Sequence, residues 1–260
     1  MSFNGNEDEF YWNEHQWEAH LNELENRSEQ LRKFINPDPI GNMPRWMILL
    51  QENLDEGDAV EAFIEEELLL DEAYFPDDED DWDEDEDFED DDLFFSSDDF
   101  RFLDDEELDE DFEDFEEGEE WKSFSSDFTY SNYGSILDLQ VYNDAYDLAV
   151  DALKWAESVP RKEQNKQLHE YVGNILKISA KLAGGYYFGF DQDYLGGNIA
   201  YNKKALFYAN DALKILQKQK GKPAIPSAIY NEFHSRLFEI RNDIGVYIQE
   251  LRDYFRYGLG

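Results

Sequence analysis

One segment limits what this chain can fold into more than any other feature. Residues 71–120 hold 31 Asp or Glu against a single basic residue, Arg101. Confining so much like charge is opposed by self-repulsion, and ordering the backbone costs about 1–2 kcal/mol per residue. Little aliphatic burial is present to offset that cost. We therefore predict that residues 71–133 form an acidic low-complexity segment that is disordered when free.

Aromatic side chains recur through this segment and distinguish it from a plain acidic tail. Acidic-aromatic alternation is typical of a segment that folds on a basic partner with apolar pockets. The residues predicted to form such a partner-binding arm are Trp82, Phe88, Phe94, Phe95 and Phe102. The alternative is a solvated spacer whose aromatic side chains dock on the protein's own helices.

The acidic charge is confined to one half of the chain. Residues before Gly134 include 6 basic and 49 acidic side chains. Residues from Gly134 onward include 16 basic and 15 acidic side chains. The whole chain of 260 residues has a formal net charge of −42. Its acidic half repels DNA, RNA and anionic membrane surfaces, because those partners are bound through cations. A basic protein is therefore the expected partner, and nucleic acid could bind only through the second half.

Several classes of chemistry have no support in the sequence. The chain has no cysteine, which excludes disulfides and thiolate chemistry and favours a reducing, cytoplasmic location. Its longest apolar run, 182–190, is too short to span a bilayer, and its first residues lack the basic start of a signal peptide.

No nucleophile or phosphate-loop motif is present. The spacing of a di-iron or zinc helix is absent around His15, His20, His169 and His234. We predict a protein that is not an enzyme and needs no cofactor or metal.

The second half has the apolar periodicity of amphipathic helices, with a repeat every three or four residues. The first helix ends at Pro160, the second covers 161–182, the third 198–218, and the fourth lies between Pro226 and Gly258. Four such helices joined by short connections predict an all-α fold, an antiparallel up-and-down four-helix bundle over residues 134–260.

A smaller helical region precedes the acidic segment. Periodicity predicts a helix over 9–35, which stops at the proline-rich stretch that follows, and then a shorter pair over 44–53 and 59–73. We predict that residues 1–70 form a helical hairpin region. Because so few residues bury only a small core, this region either packs on another part of the protein or stays loose.

Two glycine pairs and several aromatic residues lie between the second and third bundle helices. One interpretation is a binding lip at one end of the bundle, formed by Tyr186, Tyr187, Phe190 and Tyr194. The other is close helix packing at Gly184-Gly185 and a capped loop around Gly196-Gly197, with the aromatic rings covering the bundle end. A dinucleotide site is excluded, because the glycines do not have the required spacing and no strand precedes them.

Basic residues cluster on the third bundle helix and in the loop after it. The candidate phosphate contacts are Lys203, Lys204, Lys214, Lys218 and Lys220. Two other interpretations stay open: a solvated helix face, or a surface that receives the protein's own acidic segment.

The segments 139–160, 178–186 and 200–213 resemble a known bundle family. It comprises the four-helix-bundle proteins encoded in intervening sequences of bacterial large-subunit ribosomal RNA genes, which look related to the accessory protein of diversity-generating retroelements. The resemblance covers roughly residues 139–256. It implies a non-enzymatic bacterial protein that is often pentameric, hence a homo-oligomer, and some members are suspected of binding nucleic acid. This chain has Lys181-Leu-Ala-Gly-Gly where the family has an Asn-Ile-Ala-Glu-Gly-like stretch.

These observations predict a non-catalytic interaction protein. Its bundle would serve as a scaffold, and its acidic-aromatic arm would bind a basic protein and shield it, as a chaperone or a nucleic-acid mimic does. The alternative is a nucleic-acid-binding bundle that is inhibited by its own acidic segment.

Overall fold

The computed structural model describes residues 12–35, 43–72, 130–131 and 134–257, and nearly all of these are helical. A two-residue antiparallel hairpin of β1 (Tyr130–Ser131) and β2 (Gly134–Ser135) precedes a short 3₁₀ helix, Ile136–Asp138. The α-helices are α1 (Glu14–Ile35), α2 (Arg45–Glu52), α3 (Glu56–Glu72), α4 (Gln140–Ser158), α5 (Lys166–Phe188), α6 (Leu195–Gln219) and α7 (Ser227–Tyr257).

Helices α4 to α7 form the predicted bundle. Each packs against its neighbours along the chain, and α7 closes the ring by contacting α4. Because short connections reverse the chain direction at each step, the bundle is antiparallel and up-and-down. The apolar stripes meet in one core, whose fully buried side chains include Leu148, Val172, Ile175, Leu182, Leu216, Leu237 and Ile244. The prediction of an all-α bundle is confirmed.

The bundle helices begin and end at residues with local hydrogen-bonding reasons to be there. The Asn165 side chain caps α5 by accepting a hydrogen bond from the Leu168 N–H at 3.1 Å, which satisfies one of the unpaired donors of a first helical turn. Ser135 and Asp138 form a capping box around the 3₁₀ helix. Helix α5 ends at Gly189, whose φ of 96° is a conformation that suits glycine.

Both glycine pairs lie inside helices, so the predicted boundaries of α5 and α6 were wrong at this end of the bundle. Helix α5 continues past residue 182 to Phe188, and α6 starts at Leu195 instead of 198. The physical reason is the close approach of these two helices. A Cβ atom on Gly185 would lie 2.7 Å from Asn202 Nδ2 and 3.2 Å from the Asn198 carbonyl oxygen. Glycine is used here for contact between helices and not to break them.

The three N-terminal helices pack on the bundle. Helix α1 lies on α6, α3 lies on α4 and α5, and α2 packs on α3. Leu21 and Leu24 of α1 form a small apolar cluster with Tyr201, whereas Val60, Phe63, Ile64 and Leu68 of α3 join the main core. Of the two outcomes expected for residues 1–70, the described helices follow the first and pack on the rest of the protein. The proposed domain boundaries at 70 and 133 stay a prediction.

Candidate functional site

Helix α1 docks on the bundle through a row of ion pairs. The Glu18 carboxylate lies 2.5 Å from Lys203 Nζ, and Glu25 lies 2.5 Å from Lys204 Nζ. Residues 14, 18 and 25 recur at helical spacing, which places their carboxylates on the side of α1 that faces α6 and the end of α7. The part of the α6 surface that carries Lys203 and Lys204 is therefore covered by an acidic helix of the same chain.

Glu25 is the centre of this contact. Its carboxylate meets Lys204 and Lys177, the latter at 3.7 Å, and accepts a hydrogen bond from the Tyr208 hydroxyl. Because Lys204 is only 7% exposed, its ammonium has little access to water and depends on this carboxylate.

Glu14 and Arg252 form the outer end of the row. The guanidinium of Arg252 donates two hydrogen bonds to the Glu14 carboxylate, at 2.8 and 3.0 Å. This two-point geometry is the strong form of an arginine–carboxylate pair. It lowers the pKa of Glu14 and raises that of Arg252.

The structure separates the five lysines predicted as phosphate contacts into two groups. Lys203 and Lys204 lie under α1, as described above. The other three lie toward the end of α6, where Lys214 is 3.6 Å from Asp211, Lys220 Nζ lies 5.1 Å from the centroid of the Tyr230 ring, and Lys218 is exposed. The five do not form one continuous basic surface while α1 is docked.

The residues of the predicted binding lip differ in exposure. Tyr186 is buried and packs edge-to-face on Phe190, with ring centroids 5.2 Å apart. Tyr187 and Tyr194 are exposed, at 43% and 51%. The connecting loop is short and is fixed by Asn198, whose amide donates to the Gly189 carbonyl at 2.9 Å. Two of the four aromatic residues thus cover the bundle end, and the other two face outward.

Helix α3 carries the densest charge that the structure describes. Eight of its 17 residues are acidic and none is basic. One of them, Glu67, is buried and lies 3.4 Å from Lys181 of α5, which is also buried. Glu66 bonds to Arg45 of α2 at 2.6 Å. Within the described ranges, no cation pairs with Glu56, Asp58, Glu61 or Glu65.

A cavity of about 290 Å³ lies between α3, the 3₁₀ helix, α4 and α5. Its apolar wall consists of Ile64, Leu68, Ile136, Leu137 and Ala183. Its polar wall consists of Glu61 and Glu65 from α3 and of Tyr142, Asn143 and Tyr146 from α4. Glu61 and Glu65 are four residues apart on α3, and Tyr142 and Tyr146 are four residues apart on α4. Residues at this spacing lie on the same side of a helix, so both members of each pair line the cavity.

The polar wall combines carboxylates with aromatic rings. The Tyr146 hydroxyl donates to Glu61 at 3.0 Å, and its ring centroid is 6.3 Å from that of Tyr142. Burial and the charge of Glu61 raise the pKa of Glu65, and the same two causes raise the pKa of Tyr142 to about 12. Glu61 itself is exposed and Glu65 is half-buried, so the carboxylates of this wall stay in contact with water, whereas the Tyr142 ring is buried.

Sequence reasoning missed this cavity. A signal was present, because Glu61/Glu65 and Tyr142/Tyr146 are both pairs with i,i+4 spacing. The two tyrosines lie beside the apolar stripe of α4, and only the packing of α3 on α4 brings the two pairs together.

Three further predictions concern the acidic arm, metal binding and the membrane. The arm residues Trp82, Phe88, Phe94, Phe95 and Phe102 lie outside the described residues. Burial lowers the pKa of His169, but no group of three or more His, Asp or Glu in the described part of the chain is arranged to hold a metal. None of the described helices is long and apolar enough to cross a membrane.

Comparison with known proteins found no match to a family model, to a curated protein or to a solved structure. The resemblance to the family encoded in ribosomal RNA intervening sequences stays a prediction.

Proposed function

We propose that this is a non-catalytic interaction protein that binds a basic protein partner through its anionic half. The observation that supports this proposal is the way charge is distributed over the described residues. Bundle cations such as Lys203, Lys204 and Arg252 are already paired with α1. The carboxylates of α3, in contrast, greatly outnumber the cations beside them. The charge left over for an outside partner is negative.

The bundle acts as the scaffold in this proposal. It holds α3 rigidly by burying Val60, Phe63 and Leu68, so that the opposite face of α3 presents carboxylates in a fixed array. The acidic segment that follows α3 adds further negative charge. Such a field accelerates encounter with a cationic partner and favours it over anionic competitors.

The test is the affinity of the full-length protein for a long lysine-rich peptide over a salt series. We expect binding at about 50 mM salt that weakens steeply toward 200 mM, because exposed charges are screened. Serine at Trp82, Phe88, Phe94, Phe95 and Phe102 together should weaken capture at the higher salt. The matched control is Phe207→Ser with Phe238→Ser, which removes exposed aromatic rings from the bundle. A wild-type chain that ignores the peptide at low salt would refute the proposal, and an unchanged arm variant would leave charge alone as the mechanism.

A second candidate is a nucleic-acid-binding bundle that is inhibited from within. It is favoured by the carboxylates of Glu18 and Glu25, which occupy positions on Lys203 and Lys204 that phosphates would take. In this second candidate, α1 competes with nucleic acid for the two lysines. Glu18→Gln with Glu25→Gln in the full chain should increase RNA binding at low salt, whereas Glu232→Gln with Glu239→Gln, on exposed positions of α7, should not. If the first pair of substitutions brings no gain over wild type, this candidate is dropped.

We also propose a cytoplasmic location, supported by the absence of cysteine, and a homo-oligomeric bundle, supported by the family resemblance. Sedimentation equilibrium of the full chain tests the second statement: a monomer over the whole concentration range would reject it.

A further inference from the structure

We propose that the cavity between α3 and α4 binds a single cationic side chain of the basic partner, the ammonium of a lysine or the guanidinium of an arginine. This inference rests on the proposed function and specifies where a folded recognition site lies within the anionic half. It is supported by the size of the cavity, by its charge and by its aromatic wall.

The size fits one side chain. The volume of about 290 Å³ is at the lower limit for ligand pockets, which start at about 300 Å³. A helix or strand of a partner is too large for it. Ile64, Leu68 and Ile136 supply an apolar wall against which the methylene stem of a lysine or arginine can lie, with its charged head toward the polar side.

The charge of the cavity selects a cation. Glu61 and Glu65 both line it, and its described lining includes no Lys, Arg or His. Burial and the charge of Glu61 already raise the pKa of Glu65, so the two carboxylates destabilise each other. A cation bound beside both carboxylates relieves this repulsion.

The aromatic wall adds a second attraction for the same ligand class. Tyr142 and Tyr146 both line the cavity, and their ring centroids are 6.3 Å apart, so a charge held in the cavity lies close to two aromatic rings. Cations are attracted to such faces within about 6 Å of the ring centroid. A neutral apolar ligand gains nothing from the carboxylates, and an anion is repelled by them.

The chain's own acidic segment is a poor occupant. Between residues 73 and 129 its only basic side chains are those of Arg101 and Lys122. The many carboxylates around both would approach Glu61 and Glu65 with like charge. A partner with many cations has no such penalty, and we therefore assign the cavity to the partner.

The test uses the full-length protein and acetylated pentalysine, with the all-norleucine peptide as the uncharged control. Binding is followed by calorimetry and by NMR shifts of the Ile64 and Ile136 methyl groups, which line the cavity. We expect pentalysine to shift both methyl groups and the norleucine peptide to shift neither. Glu61→Gln with Glu65→Gln should weaken pentalysine binding about tenfold, the ratio expected for losing a charged hydrogen-bond partner.

The matched control is Glu56→Gln with Asp58→Asn, which removes the same charge from α3 outside the cavity. It should weaken binding less than about twofold, since exposed charges contribute little. A further pair tests the ring: Tyr146→Leu should weaken binding about threefold, whereas Tyr146→Phe, which keeps the ring, should not.

The outcomes separate the two proposals. Equal weakening in the cavity and control variants would overturn the cavity site and leave the proposed function standing. Failure of the wild-type chain to bind even the long lysine-rich peptide would overturn the proposed function itself. A shift of the Ile64 and Ile136 methyl signals in the peptide-free protein after Arg101→Gln with Lys122→Gln would show that the chain's own segment fills the cavity, and would overturn its assignment to a partner.

Discussion

Helices α1 and α3 both bring carboxylates onto the same bundle, but different interactions hold them there. On α1, Glu14, Glu18 and Glu25 each meet a cation of the bundle, and these ion pairs are partly open to water. Helix α3 is held by an apolar stripe that joins the main core, together with one buried ion pair, Glu67 with Lys181.

The difference shows how the same composition can serve two purposes. On α1 the carboxylates pair with bundle cations beside the small apolar cluster of Leu21 and Leu24, so little negative charge remains on that face. On α3 the apolar residues dock the helix, which leaves Glu61 and Glu65 to line a cavity. Acidic residues are therefore available to a partner where bundle cations do not already pair with them.

The largest loss of unfolding free energy is expected from Lys181→Met, which removes the α5 partner of Glu67 on α3. This change leaves Glu67 buried without its ammonium partner, and breaking a buried ion pair in this way costs about 3–5 kcal/mol. The free energy of unfolding from urea titration measures it. Glu67→Leu with Lys181→Met should recover most of the loss, because an apolar pair of similar volume needs no charge compensation. Equal losses in the single and double variants would show that α3 depends on packing alone.

A smaller loss of unfolding free energy is expected from Glu25→Gln on α1. Lys204 and Tyr208 then face a neutral amide, and a missing charged partner at a partly buried site costs about 1–3 kcal/mol. Hydrogen exchange of the α1 amides, read together with urea titration, follows the change. Glu23→Gln is the control: Glu23 pairs only with Arg27 on the same exposed helix face among the described residues, and such a pair contributes about 0.5 kcal/mol or less. If both variants behave alike, ion pairs are not what docks α1.

The smallest effect concerns pH and Glu14. Its pKa lies below the ordinary value of 4.5 because Arg252 donates to its carboxylate. A lowered carboxyl pKa stabilises the fold above that ordinary value, and the contribution is lost as pH falls through the folded-state pKa. Glu14→Gln should therefore lower the unfolding free energy at neutral pH by about 0.5–1 kcal/mol, since both groups are partly exposed.

The difference between wild type and Glu14→Gln should shrink toward zero as pH falls through the folded-state pKa of Glu14, below which the carboxyl is protonated in both states. Urea midpoints across the pH range measure this, with Glu250→Gln, an exposed position on α7, as the control. A difference that does not depend on pH would contradict the assigned pair.

The bundle could be predicted from the sequence because its signal is local. Ile240, Ile244 and Ile248 repeat once per helical turn, and this spacing alone requires a helix with a buried face. The packing of Gly184 and Gly185 was one of the two sequence interpretations, but the ends of α5 and α6 were predicted wrongly for a related reason. Glycine weakens a helix locally, but Gly185 is required by the approach of α6, a contact with a distant part of the chain.

The candidate site depends entirely on such distant contacts. The lysines of α6 were recognised as a cluster, but their partners on α1 are more than a hundred residues away in sequence. Nothing in the spacing of Lys203 and Lys204 identifies Glu18 and Glu25. Similarly, the tyrosines of α4 become a cavity wall only because α3 packs beside them.

The cavity also lies close to both described residues that flank the acidic segment in the chain. Leu68 lines it one turn before α3 ends at Glu72, and Ile136 lines it just after the β1–β2 hairpin. Residues 73–129 are thus tethered at both ends close to the same site. If one cation of a partner sits in the cavity, its neighbours meet the carboxylates of that tether at a high effective concentration. Under that condition, binding of each further cation becomes an intramolecular event, and the partner is released more slowly than from either site alone.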